Sequence, residues 1–302
     1  MTTRLTHAIL GVGGVGGLIA ASLARAGASV TLVVRREALA SYPRTLRLES
    51  PFGNFDAHPS VAADVPPCDV LWLTVKATQL DASLAALANP AAIRAIVPLL
   101  NGIDHIALLR AKYGAGKVIP ATIAVETERV AAGHIIHRSP FANFNVLAAG
   151  RALLGATIED LQRQGFNCRF IDDEPTLMWS KLVFLAAFAL TTTAADKTTG
   201  EILADPQWSQ LGLGCIREAS AIAVAEGAKI DVNTLIPAVM KMPGNMRSSM
   251  QKDVAAGNPP ELDAIAGPIL RGAQKHGIDI PATRKLVALV EGRTHHPSGL
   301  LA

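Results

Sequence analysis

A glycine-rich loop near the N-terminus constrains the fold of this chain more than any other feature. The apolar stretch His7–Leu10 runs directly into GVGGVGG, and a helical pattern begins near Val15. Gly11, Gly13 and Gly16 match G-x-G-x-x-G, whose glycines permit a tight turn, backbone approach to a pyrophosphate, and close packing of helix on strand. The pattern predicts a dinucleotide site, although a purely structural tight turn would use the same residues.

The first 172 residues alternate short apolar, often β-branched runs with Ala- and Leu-rich helical stretches. Such alternation indicates a parallel sheet covered by helices on both faces. We therefore expect residues 1–172 to form an α/β Rossmann domain, with a doubly wound, mostly parallel sheet. Strands are predicted at His7–Leu10, Ser29–Val34, Val70–Val75, Ala95–Leu100, Lys117–Val125, Gly133–Ile136, Phe144–Leu147 and Arg169–Asp172, and helices at Leu18–Ala26, Leu80–Leu87 and Ile158–Gln164.

After Asp173 the strand patterns stop, and the 3.6-residue period of amphipathic helices continues to about Glu291. This change predicts an all-α C-terminal domain over residues 173–302. A chain of 302 residues is long enough for two domains that each bury a core.

Composition and charge exclude several functional classes. Lys and Arg number 28 against 25 acidic residues and form no long basic run, which argues against nucleic-acid binding. The longest near-apolar stretch, Leu177–Leu190, is 14 residues long, whereas a bilayer span needs about 20. Three distant cysteines without zinc spacing are predicted to be buried thiols in a reducing compartment. We expect a cytoplasmic protein with no membrane partner and no metal site.

The residues after the second predicted strand indicate which dinucleotide binds. The sequence there is Val33-Val34-Arg35-Arg36, where an NAD site normally has an acidic residue and an NADP site an arginine for the 2′-phosphate. Arg35 lies nearer the strand end, so NADP(H) is predicted, unless both arginines point into water. Lys76 and Asn101 follow two further strands at the ligand-binding edge. The predicted cofactor set is Gly11, Val12, Gly13, Gly14, Val15, Gly16, Arg35, Lys76 and Asn101.

A lysine inside an apolar helical stretch is the main chemical signal of the C-terminal half. Lys181 stands within LMWSKLVFLAAF. Burial of an ammonium group is costly unless it is paired or its pKa falls, and a lysine with a lowered pKa is a suitable proton donor to a carbonyl. Alternatively, Lys181 lies at the helix rim with its ammonium group in water.

Taken together, these motifs resemble those of the ketopantoate reductase (2-dehydropantoate 2-reductase) family, over nearly the whole chain. The matching features are the glycine pattern, Arg35, Thr74-Val75-Lys76-Ala77, Asn101-Gly102, Trp179-x-Lys181-Leu182, Ser248-Ser249-Met250, Glu261-Leu262-Asp263 and His276-Gly277-Ile278-Asp279-Ile280-Pro281. The resemblance implies a Rossmann domain joined to a helical domain, with the active site between them.

The resemblance also implies residue roles. Lys181 would protonate the ketone oxygen while NADPH delivers a hydride to the carbon, and Glu261 would organise the catalytic site and bind substrate. Ser249 would contact the substrate carboxylate, and Asn101 would contact both nicotinamide and substrate. The implied catalytic residues are Lys181 and Glu261, and the implied substrate-binding residues are Asn101, Lys181, Ser249 and Glu261.

The chain departs from the family at three positions that carry substrate-binding asparagines in its best-known members. Leu185, Ala189 and Thr199 stand there. Loss of such amides costs about 1–3 kcal/mol each in recognition of the substrate. The leading prediction is NADPH-dependent reduction of ketopantoate to pantoate, on the route to pantothenate and coenzyme A. The alternatives are reduction of a more apolar 2-oxo acid, ketone or imine, and a non-catalytic NADPH sensor. A 3-hydroxyacid dehydrogenase is disfavoured, and a homodimer is a further expectation.

Overall fold

A computed structural model of the protein describes residues 4–295. The strands are β1 Thr6–Leu10, β2 Ser29–Val33, β3 Leu46–Glu49, β4 Phe55–Ala57, β5 Ser60–Ala62, β6 Cys68–Leu73, β7 Ile93–Pro98, β8 Ala121–Ala124, β9 Thr127–Ala131, β10 His134–His137, β11 Asn143–Leu147 and β12 Asn167–Ile171. The helices are α1 Gly14–Arg25, α2 Leu80–Ser83, α3 His105–Tyr113, α4 Arg151–Arg163, α5 Glu174–Ala195, α6 Thr199–Ala204, α7 Pro206–Ala225, α8 Val232–Met240, α9 Ser249–Ala255, α10 Leu262–His276 and α11 Pro281–His295.

The N-terminal half is built around a five-stranded parallel sheet in the order β5-β2-β1-β6-β7. The central strand β1 is fully buried at Ala8 and Ile9, as its continuous apolar sequence predicts. Leu10 pairs in register with Val33 of β2 and Leu73 of β6. The residues that follow these three strands therefore emerge at one edge of the sheet. The predicted α/β Rossmann domain is confirmed.

The N-terminal half also contains two smaller mixed sheets, and several of their strands were not predicted from the sequence. One has the order β4-β3-β10-β9 and another β12-β11-β8. Strands β3, β4, β5 and β9 were not predicted, because they are short and β9 is largely exposed. The strand predicted at Lys117–Val125 is wrong in its first half, where residues 115–117 form a 3₁₀ turn and only Ala121–Ala124 form β8.

Within the described chain the residues divide into two compact units. The first contains residues 4–100 and 105–177, and the second contains residues 101–104 and 178–295. The sequence placed one division between 172 and 173, at the last strand. In the structure it falls inside α5, whose first residue, Glu174, accepts two hydrogen bonds from Arg110 of the first unit at 2.6 and 2.7 Å. Residues 101–104 belong with the helical unit although they follow β7 in sequence.

The second unit is helical, and α5 forms the centre of its core. Val183 and Leu190 of α5 are fully buried with residues of α7, α10 and α11. This 22-residue helix is long and apolar enough to cross a bilayer, but 72% of its apolar window is buried in the protein, as in the core helix of a globular domain. Cys68, Cys168 and Cys215 are buried free thiols, as predicted.

Candidate active site

The glycine loop, residues 11–16, is held against the sheet by contacts that no other residue type allows. Gly11 has φ +104°, and a Cβ there would lie 2.6 Å from the Val75 backbone nitrogen. A Cβ at Gly16 would collide with the Gly11 carbonyl and the Thr74 hydroxyl. Both glycines are thus required by the fold itself.

Gly13 differs from these two glycines because a Cβ there would meet no atom within 4 Å. Gly13 is the N-cap of α1, and the N–H groups of the first helical turn have no intrahelical acceptor. The open space at Gly13, beside this dipole end, fits the approach of a pyrophosphate. The glycine loop can hold a dinucleotide phosphate in the manner that the sequence predicts.

Thr74 positions the glycine loop, a role that was not predicted from the sequence, where Thr74 stands only as part of a matching segment. Its hydroxyl donates to the Gly11 carbonyl at 2.7 Å and lies 3.2 Å from the Leu10 carbonyl. Thr74 lies one residue after β6, in register with the end of β1. Only the sheet order brings β6 beside β1, so no local pattern could have revealed the contact.

The two arginines after β2 have different surroundings. Arg36 forms an ion pair with Asp64 at 2.7 Å. Arg35 is exposed and has no side-chain partner among residues 4–295, so its guanidinium is available to a ligand. Lys76 is half-buried and directly precedes a 3₁₀ turn. Arg35 and Lys76 both follow strands that end at the edge occupied by the glycine loop.

In the second unit, Lys181, Asn101 and Glu261 form a hydrogen-bonded chain, which we call the Lys181 cluster. Lys181 Nζ donates to Asn101 Oδ1 at 3.1 Å, and Asn101 Nδ2 donates to Glu261 Oε2 at 3.0 Å. These partners fix the orientation of the amide, because the ammonium can only donate and the carboxylate can only accept. Glu261 is 7% exposed and is the N-cap residue of α10, where the helix dipole favours a negative charge.

Burial changes the chemistry of Lys181. Desolvation lowers the pKa of its ammonium from 10.5 to about 8, although the Glu261 carboxylate acts in the opposite direction and raises it. The group is therefore protonated at neutral pH and can release its proton more readily than an exposed lysine. Of the two interpretations of Lys181, this environment favours a proton donor over a lysine at the helix rim.

Residues 101–104 are fixed to the start of α10 by contacts within the second unit. Gly102 has φ +82°, and a Cβ there would collide with the Ala264 carbonyl. Arg271 forms ion pairs with Asp104 and, at 2.8 Å, with Asp263. These contacts hold Asn101 next to Glu261, and Gly102 and Arg271 were not anticipated in that role.

The remaining predicted substrate positions lie on other elements. Ser249 is exposed at the first residue of α9, and its neighbour Ser248 caps that helix by accepting from the Gln251 N–H at 3.1 Å. Leu185 is half-buried on α5, while Ala189 is buried. Thr199 is buried at the start of α6 and donates to the Pro243 carbonyl. Leu185, Ala189 and Thr199 therefore offer no amide group to a substrate.

Comparison with known proteins identifies the family. Residues 7–146 match the model described as "Ketopantoate reductase PanE/ApbA", and residues 175–294 match "Ketopantoate reductase PanE/ApbA C terminal". The chain is 32% identical to a 2-dehydropantoate 2-reductase from Caulobacter vibrioides over 294 residues, which cover 94% of this chain and 97% of that protein.

Solved structures share the fold. A PanE/ApbA family ketopantoate reductase from Ralstonia eutropha has a TM-score of 0.84 and 26% identity, covering 96% of this chain and 98% of that one. A D-mandelate dehydrogenase, solved with NADH and anilino(oxo)acetate, has a TM-score of 0.85 with the same coverage, and its 19% identity supports the fold alone. This chain belongs to the ketopantoate reductase family of NAD(P)-dependent oxidoreductases, which act on a keto group.

Proposed function

We propose that the protein catalyses the NADPH-dependent reduction of ketopantoate to pantoate, the reaction after which its relatives are named. The observation that carries the proposal is the Lys181 cluster, which places a buried, hydrogen-bonded ammonium group in a family of keto reductases. Burial of an ammonium group is costly. A lysine with a purely structural role would be expected to keep its ammonium group in water, which Lys181 does not.

In the proposed mechanism, the two units contribute different parts of the reaction. The glycine loop would hold the cofactor pyrophosphate, and NADPH, when bound there, would be the source of the hydride for the carbonyl carbon. Lys181 donates its proton to the carbonyl oxygen, which becomes the hydroxyl of the product. Asn101 and Glu261 orient the ammonium group, and the Glu261 carboxylate favours its protonated form.

The proposed preference for NADPH rests on the end of β2. Arg35 is exposed and unpaired within the described residues, and the guanidinium geometry suits a phosphate monoester such as the 2′-phosphate. Arg36 is already engaged by Asp64. We therefore assign the phosphate contact to Arg35, with Lys76 holding the adjoining cofactor groups and Ser249 contacting the substrate carboxylate.

The decisive experiment is steady-state turnover of ketopantoate with NADPH and NADH in parallel. We expect NADPH oxidation that depends on ketopantoate, with a kcat/KM for NADPH well above that for NADH. NADPH binding without oxidation by any oxo acid would instead identify a cofactor sensor.

We further propose that the protein works in the cytoplasm as a homodimer, on the route to pantothenate. Light scattering on the purified protein tests the dimer directly, since a monomer and a dimer differ twofold in mass.

A further inference from the structure

The helical unit contains an apolar cavity that the proposed mechanism does not use. It has a volume of about 50 Å³, several times the roughly 10–15 Å³ that one water molecule requires. The wall is contributed by α5, α6, α7, the end of α8 and the segment that follows it, and includes Phe184, Phe188, Ile202, Gly212, Ile216 and Met242. Such a cavity suits a small apolar group better than water.

The cavity lies beside the face of α5 that carries Lys181. Over residues 181–190 the side chains of Lys181, Phe184, Leu185 and Phe188 are partly buried and the others are buried, and the spacing of these four puts them on one face of the helix. Phe184 and Phe188 stack with ring centroids 5.8 Å apart, and both line the cavity. Phe184 is one turn from Lys181, a rise of about 5 Å. A 2-oxo acid whose carbonyl oxygen lies at Lys181 could therefore place its side chain in the cavity.

The polar groups in the wall are largely satisfied by the protein. The Thr192 hydroxyl bonds Ser248 Oγ and the Phe188 carbonyl, both at 2.8 Å, and Thr199 donates to the Pro243 carbonyl. The Thr191 hydroxyl is buried and has no hydrogen-bond partner within residues 4–295. The wall thus offers a ligand extensive apolar contact and at most a few hydrogen bonds.

Gly212 keeps this space open. It lies on α7 opposite α5, and a Cβ there would be 3.2 Å from Thr191 Oγ1. Thr199, one of the positions where the family carries a substrate-binding asparagine, lines the same cavity. Leu185 and Ala189, the other two such positions, lie outside the lining, but each directly follows a phenylalanine that is part of it.

We propose that this cavity binds the side chain of the 2-oxo acid, and that the enzyme favours apolar branched-alkyl or aryl side chains over the methyl group of pyruvate and the hydroxylated side chain of ketopantoate. This inference rests on the proposed reduction of a 2-oxo acid at Lys181. It adds the part of the site that selects the side chain. Each CH₂ group buried there should raise kcat/KM about fourfold.

The test compares kcat/KM for pyruvate, ketopantoate, 4-methyl-2-oxopentanoate and phenylpyruvate with NADPH. 4-Methyl-2-oxopentanoate has three more carbons than pyruvate, so the parent enzyme should favour it roughly tenfold to 60-fold. Ser209→Leu and Gly212→Val each fill the cavity from α7 and should lower this ratio at least tenfold, to near unity. Gly292→Val is the matched control, because Gly292 lies on the exposed face of α11 and no atom of the described residues lies within 4 Å of its Cβ position.

The outcomes separate this inference from the proposed function. A ratio that falls in both cavity variants and persists in Gly292→Val supports the cavity as the side-chain site. If ketopantoate and pyruvate are reduced but size gives no advantage, or the advantage survives in both filled variants, the inference is overturned while the proposed function stands. If the parent reduces none of the four acids, the proposed function fails and this inference with it. Thermal unfolding identifies any variant that has not folded. In that case the ratio of kcat/KM for 4-methyl-2-oxopentanoate to that for pyruvate in the parent enzyme still tests the inference.

Discussion

The glycine loop and the Lys181 cluster illustrate two different ways of building a functional site. The glycine loop presents backbone groups from one short segment, and it requires that side chains be absent at Gly11, Gly13 and Gly16. The Lys181 cluster uses side-chain groups that are separated by up to 160 residues in sequence. Larger residues are therefore poorly tolerated at the glycines of the loop, whereas the Lys181 cluster depends on the identity and charge of each of its side chains. This contrast determines what substitution in each region should do.

The largest expected effect is loss of cofactor binding in Gly13→Val. The added side chain would occupy the space for the pyrophosphate, and loss of two charge-assisted hydrogen bonds costs about 3–6 kcal/mol. The fold should survive, since a Cβ at Gly13 meets no atom within 4 Å. Fluorescence titration with NADPH and thermal unfolding give the two readouts.

Gly16→Val is the matched comparison for this prediction. It should lower the melting temperature as well, because its Cβ would collide with the Gly11 carbonyl. Normal NADPH binding by Gly13→Val would show that the loop is only a structural turn.

The next largest effect is expected for Lys181→Met, which removes the proton donor but keeps the apolar volume. The rate should fall by roughly 10²–10⁴, the usual range for a general acid, while NADPH affinity changes little because the glycine loop belongs to the other unit. Stability near pH 7 should stay equal or increase, because the lowered pKa of Lys181 means that folding disfavours its ammonium form. Kcat, the NADPH Kd and thermal unfolding are the measurements.

Lys285→Met is the control for Lys181→Met, because Lys285 lies on the exposed face of α11. This variant should retain the parent rate. Near-normal turnover by Lys181→Met would show that Lys181 is not the proton donor and would favour a structural role at the helix rim.

The same contrast explains what the sequence could and could not predict. The glycine loop, β1, β2, β6 and β7 were predictable because their signals are local: buried apolar runs, and a glycine spacing that is typical of a tight turn between strand and helix. Short exposed strands such as β9 carry no such signal. The role of Thr74 was missed for another reason, since its contact with Gly11 exists only because β6 lies beside β1.

The Lys181 cluster could be predicted only in part. Lys181 stands out in an apolar helix, but nothing in the sequence near it points to Glu261, which came from the family resemblance. The attachment of Asn101 to the helical unit was not predicted. It depends on Gly102 lying against Ala264 and on Arg271 binding Asp104, and these are contacts between distant segments.

A smaller effect, confined to one cofactor, is expected for Arg35→Ala. Loss of a charge-assisted contact to the 2′-phosphate should weaken NADPH by about 1–3 kcal/mol and leave NADH nearly unchanged. Arg36→Ala is the matched comparison, and should have less effect because Asp64 already holds this side chain. Paired titrations with NADPH and NADH measure the difference. Equal affinity of the parent for both cofactors would remove the basis for assigning NADPH.

The smallest and most specific effect concerns Glu261→Gln, which tests whether the charge at the end of the Lys181 cluster acts on the lysine. Glutamine can still accept the hydrogen bond from Asn101 Nδ2, so the variant removes charge and keeps geometry. In the parent, the proton-donating form of Lys181 is present below its pKa of about 8 and is lost as the pH rises through it. The rate should therefore fall above about pH 8.

The carboxylate of Glu261 raises the pKa of Lys181 against the effect of desolvation, so its neutralisation should move this falling limb to lower pH. Stability provides a second readout of the same group. Because the lysine pKa is lower in the folded protein than the ordinary 10.5, the unfolded chain binds more protons between about pH 8 and 10.5, and stability should gain from Lys181 as the pH rises there. In Glu261→Gln this gain should begin at lower pH, and in Lys181→Met it should disappear. A falling limb at the same pH in parent and Glu261→Gln would mean that the carboxylate orients Asn101 without influencing the proton on Lys181.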